Sequence, residues 1–148
     1  MTLLFSFFSL FLSVLEDDIQ LTDHIYDSSI KTVRIFPLGT NPEIKLLPAV
    51  SNLGGAPLAL EFDDLQNDRV NYYAKIIACD YNWQKSSLHD LDFLEHYNEF
   101  NIDEFEYSSN TQTPYVHYQF TIPQVKLPGN YVLLVYRDGD LSQLALSK

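Results

Sequence analysis

The chain has 148 residues, 46% hydrophobic and 14% aromatic. That suits one domain burying roughly two-thirds of its unfolded surface and is too apolar for a disordered tail. Twenty acidic against nine basic residues give a formal charge of −11, which excludes a basic nucleic-acid footprint and attraction to an anionic membrane surface.

The run from Leu3 to Leu15 is apolar and serine-rich. It is shorter than the roughly 20 residues that span a bilayer and matches the apolar centre of a secretory signal. No Lys or Arg precedes it, and no small-x-small cleavage site separates it from Glu16-Asp17-Asp18. Residues 1–20 are read as a leader, 21–29 as an N-terminal arm, and 30–148 as a β domain whose last strand is cut short, as in a fragment. Export implies an oxidising compartment. A lone cysteine, Cys79, forms no internal disulfide there, so packing must hold the fold.

Ile30–Phe36 alternates apolar and polar positions, as a half-buried strand does. Glu43–Leu47, bracketed by Pro42 and Pro48, reads as an edge strand. Pro57–Phe62 follows the Gly54-Gly55 turn, and Asn71–Cys79 is the longest apolar run and the expected sheet centre. Residues 84–104 are acidic and read as a surface connection with one helical turn, not a strand. Leu88, Leu91 and Leu94 are expected to line the turn, with Ser86 or Ser87 near its start. Phe105–Ser108 returns to strand character. Tyr115–Ile122 alternates, with Val116, Tyr118, Phe120 and Ile122 on one face and Tyr115, His117, Gln119 and Thr121 on the other. Tyr131–Tyr136 leads into the hairpin signal Asp138-Gly139, and Leu144–Leu146 returns.

About seven short strands, little helix and no βαβ alternation predict an all-β domain, an immunoglobulin-like or fibronectin-like sandwich with one short helical connection. Trp83 is expected to fold back and fill the core. Pro128-Gly129-Asn130 before Tyr131 is the setting of a tyrosine corner.

Candidate chemistry is sparse. Cys79 beside Asp80 lacks the cation or histidine that stabilises a thiolate, and the aspartate opposes it. It reads as a packing residue. Asp63, Asp64 and Asp68, with Asn67, and Asp138 with Asp140 offer oxygen ligands of the kind calcium takes. They match no calcium-loop pattern and equally suit ordinary turns. The acids Asp90, Asp92, Glu95, Glu99, Asp103, Glu104 and Glu106 read as a hydrated face, with no paired carboxylates across a cleft. No phosphate-cradling glycine loop or HExxH is present, and neither a cofactor nor a resident metal is expected. The tyrosines suit either a protein interface or a carbohydrate stacking platform, and many must also fill the core.

Three blocks in order carry a family resemblance. The first holds Tyr73, Ile77, Cys79, Asp80 and Trp83. The second holds Asn110, Thr111, Pro114, Tyr115, His117 and Tyr118, and the third runs from Leu127 through Asp140, including Gly129 and Tyr131. Together they resemble the N-terminal domain of the type IX secretion system plug protein of Bacteroidetes. The resemblance implies a non-enzymatic, exported protein, periplasmic and associated with the outer membrane, without a membrane span in the mature domain. It implies a partner, the outer-membrane translocon barrel, whose periplasmic mouth the plug closes. It supplies no catalytic residues. The alternative is an exported carbohydrate-binding module.

Overall fold

In a computed structural model, residues 19–39, 41, 43, 45 and 49–148 are described. The leader and the edge strand expected at Glu43–Leu47 fall largely outside them. The described residues form nine strands and one helical turn: β1 His24–Ile25, β2 Ile30–Pro37, β3 Leu58–Asp64, β4 Tyr72–Cys79, α1 Asp90–Phe93, β5 Phe100–Ile102, β6 Glu104–Tyr107, β7 Val116–Thr121, β8 Asn130–Arg137 and β9 Leu144–Ser147. Two antiparallel sheets, ordered β1-β9-β8-β4-β5 and β2-β3-β7-β6, face each other as a sandwich.

The expected fold class is found, with differences in detail. The centre of the first sheet is β8, and β4 lies beside it. The run Val132 to Tyr136 is buried throughout because β8 is covered on both faces. Inward, Leu133 and Val135 join the main core. Outward, Val132 and Leu134 pack with Cys79 under Ile19 and Leu21. The arm therefore covers the outer face of this sheet and adds β1 to its edge.

The second difference is β5, which lies inside the stretch read as having no strand. Only three residues pair with β4, too few for a visible period. Beyond them the buried Asn98 side chain continues the ladder, donating to the Ile76 carbonyl at 2.7 Å and accepting from its amide at 2.9 Å. Of the three leucines expected to line the helical turn only Leu94 is buried. Phe93 and Leu94 face the core while Leu88 and Leu91 are exposed. The turn begins at His89, whose amide donates to the Asp92 carboxylate at 2.8 Å.

In β2, Ile30 and Val33 both meet the core although they stand three positions apart, an odd spacing in a strand. A bulge between Lys31 and Arg34, with Thr32 at φ 55°, absorbs the extra residue and resets the alternation. At the far end, Asp138 and Gly139 at φ 51° and 71° close the β8–β9 hairpin, and the Asp140 amide donates to the Arg137 carbonyl at 2.8 Å.

Between the sheets, Tyr72 of the first meets Phe62 and Tyr118 of the second edge to face, with ring centroids 5.1 and 5.0 Å apart. The Tyr72 hydroxyl donates to the buried Asp64 carboxyl group at 2.7 Å. Asp64 also accepts from the Gln66 amide at 3.0 Å. Arg137 points its guanidinium at the same hydroxyl from 3.4 Å and pairs with Asp27 of the arm. Tyr118 reaches back across the sandwich, donating to the Val70 carbonyl at 3.1 Å and accepting from its amide at 2.8 Å. This polar cluster closes the pole where β3 and β8 end.

Two expected outcomes follow from this pole. Tyr72→Phe leaves the buried Asp64 oxygen without its hydroxyl donor and should cost about 1–3 kcal/mol, read as a lower urea midpoint at unchanged slope. Asp27 feels burial, which raises its pKa. The Ser29 amide at 2.8 Å and the Arg137 guanidinium outweigh this and hold it below the ordinary aspartate range. A depressed folded-state value adds stability that is present above the unfolded value and lost as pH falls through the folded one. The stability gap between wild type and Asp27→Asn should therefore be open at neutral pH and close as pH drops below about 4.

Candidate interaction surface

Of the residues singled out from the sequence, Cys79, Asp80, Trp83, Gly129 and Tyr131 gather at the other pole, and His117 lies on the outer face of the second sheet. At the end of β4 the Asp80 carboxylate accepts from the amides of Asn82 at 2.8 Å and Gln84 at 3.0 Å. Its own amide donates to the Gln84 carbonyl, and its carbonyl accepts from the Trp83 amide. This is turn chemistry, in which a short carboxylate mimics backbone. The chain then doubles back, with the Ser86 amide donating to the Ala78 carbonyl at 2.8 Å.

Trp83 stands at the tip of this reversal with φ 60°, and 47% of it is exposed. The expectation that it plugs the core is corrected. Ile76, Phe93 and Leu94 already fill the interior here, and the clamped reversal holds the indole outside them. Instead the ring lies at the rim of an open recess of about 510 Å³ between the sheets. Ile35, Leu58 and Ile122 line it from the second sheet, and Ile76, Tyr131 and Leu133 from the first.

Tyr131 forms a corner beside the recess. Its hydroxyl donates to the Leu127 carbonyl at 2.8 Å, and its ring packs tilted at 45° against Phe93, with centroids 5.4 Å apart. Gly129 passes close under that ring, where an added Cβ would sit 3.7 Å from Tyr131 Cε2. Burial raises the Tyr131 pKa, so the hydroxyl remains a donor at neutral pH.

The outer face of the second sheet carries a charge network that the sequence reading missed. Glu61 of β3 is 1% exposed and holds Arg34 at 2.7 Å and Lys45 at 2.8 Å. His117 Nε2 lies 3.8 Å from it, while Nδ1 faces Asp63 at 2.7 Å. The available signal was a lone glutamate in the apolar run PLALEF, opposite Arg34 on a neighbouring strand. Tyr115 is half-buried at the head of β7, where its amide donates to the Ser108 hydroxyl at 2.9 Å. Thr111 is hydrogen-bonded to that same hydroxyl, so the second sequence block builds the β6–β7 turn.

The remaining candidates are dispersed. Asp63 serves His117, Asp64 serves Tyr72, and Asp68 and Asp138 are exposed on separate loops. Asp140 accepts from the Ser142 amide and hydroxyl and from Gln143, bonds that lower its pKa. Among the described residues no three His, Cys, Asp or Glu side chains are grouped as metal ligands. Cys79 is buried, and burial first, then Asp80, pushes its thiol pKa up, opposite to what a nucleophile needs.

Residues 30–148 match the family described as Type 9 secretion system plug protein 1st domain. The chain belongs to that family. Membership links this plug domain to type IX secretion, a family not known for catalysis. No protein of curated function matches the chain. A crystal structure of a hypothetical protein from Parabacteroides merdae shares its fold, with a TM-score of 0.74 at 24% identity. The alignment covers 88% of this chain and 33% of that one, so the plug domain spans about a third of the solved protein. Among the described residues no helix is long and apolar enough to cross a membrane.

A rim position for Trp83 has a measurable consequence. Trp83→Ala should lower unfolding stability by no more than about 1–2 kcal/mol, against the roughly 3–5 kcal/mol of a core tryptophan. Chemical denaturation of the two proteins decides between them.

Proposed function

We propose that this domain acts in type IX secretion without catalysis, as part of a plug that closes the periplasmic side of the outer-membrane translocon through protein–protein contact. The family match over residues 30–148 carries this reading. The geometry supports it. One pole is built from side chains committed to one another, and the lone thiol is buried, with its pKa raised. Exposed aromatic side chains, Tyr81, Tyr97 and Tyr107 among them, suit contact with a folded partner. The reading places the protein in the periplasm, exported and held at the outer membrane. Much of the tyrosine count behind the carbohydrate alternative is accounted for inside the fold, where Tyr72, Tyr118 and Tyr136 are fully buried and Tyr131 forms the corner.

Capture from detergent-solubilised envelopes of a type IX-secreting cell tests it. A tagged protein should recover a large outer-membrane barrel reproducibly. Repeated capture that recovers no outer-membrane barrel would sink the proposal.

A further inference from the structure

The two poles of the sandwich are unlike. One is sealed by Asp64, Tyr72, Arg137 and Asp27. The other, where β2, β4, β7 and β9 end, opens into the apolar recess beneath Trp83. Ile76 and Leu133 form its floor, and both belong to the core. An opening of this kind in a small domain marks a contact surface, because water gains nothing from Ile and Leu side chains.

The occupant is constrained by three observations. The matching family is described as the first domain of its protein. About two-thirds of the fold relative from Parabacteroides lies outside the aligned region, since this chain covers 33% of it. Lys148, directly after β9, lines the recess, and its backbone exchanges hydrogen bonds of 2.9 and 3.0 Å with Leu133. Polypeptide that follows β9 in the longer proteins therefore emerges beside the opening. A domain tethered there has a high effective concentration at this surface. A second copy is disfavoured, because two chains of charge −11 would face each other.

We propose that the recess between Trp83, Ile76 and Leu133 is the seat of the next domain of the longer polypeptide, which inserts an apolar side chain into it. The indole of Trp83 closes over that side chain as a flap. Lys148 and Asp23, paired at 2.6 Å on the rim, supply polar contacts around it. The proposal adds an internal joint to the plug reading and assigns this pole away from the translocon. It stands or falls separately from that reading.

Hydroxyl-radical footprinting reads side-chain access residue by residue. It is run on the 148-residue chain and on the same chain within a polypeptide that continues through the next domain. Modification of Trp83 should fall several-fold in the longer polypeptide, while Tyr97 and Tyr107, exposed and outside the recess lining, are modified equally in both. Trp83→Glu in the longer polypeptide should restore modification of Tyr131 and raise the radius of gyration seen by X-ray scattering. Equal Trp83 modification in the two proteins overturns the proposal. So does protection within the short chain: if it rises with concentration the occupant is a second copy, and if it disappears on deleting residues 1–18 the occupant is the leader. Barrel capture is scored independently, so a failed joint and a failed plug are told apart.

Discussion

The hydrogen bond from Tyr72 to Asp64 is the constraint on which the rest of this fold depends. It runs from one sheet to the other inside the aromatic cluster of Phe62, Tyr72 and Tyr118. Sandwiches of antibody type place a disulfide between their sheets, and this chain has one cysteine. Here a buried acceptor and a phenol take that position. An Asp64 carboxyl group without its donors would be costly in so apolar a place, so any slip between the sheets is opposed by desolvation as well as by lost contact. Arg137 extends the constraint to the arm through Asp27. The register of β8 and the seating of the arm are thus set by the same cluster that sets the sheet spacing.

The residues that carry the sequence resemblance serve this architecture. Asp80 folds a reversal, Tyr131 braces a corner, Tyr118 ties the second sheet to the approach to β4, and Asp138-Gly139 turns the last hairpin. Backbone geometry restricts such positions to few residue types. That explains why a set of signatures this specific includes no free nucleophile or base. A motif can name a family by the turns its chain must make.

The same distinction marks what was legible in the sequence. The strands β4 and β7, which alternate, and β8, which is apolar throughout, could be read because burial on one face or both leaves a pattern in composition. The three residues of β5 leave no period, and the ladder there is finished by Asn98, a side chain acting as backbone. In β2 the parity changes at a bulge that local sequence does not announce. Trp83 was misread because hydrophobicity tells that a side chain prefers burial and not which partner provides it; the turn set by Asp80 decides that it lies at a rim. Glu61 was missed for a related reason, since a charge in an apolar strand is meaningful only once Arg34 and Lys45 are beside it.

The sheet edges described above bear on how this domain can associate at all. An open edge invites another chain to add a strand, held by a ladder of backbone hydrogen bonds. The first sheet ends in strands of two and three residues, β1 and β5. The second ends in bulged β2, which stops at Pro37, and in β6, where Glu104 and Glu106 are exposed. Among the described residues little uninterrupted edge backbone is on offer. Contacts made through these edges are therefore contacts between side chains, which form and release without rebuilding a backbone ladder.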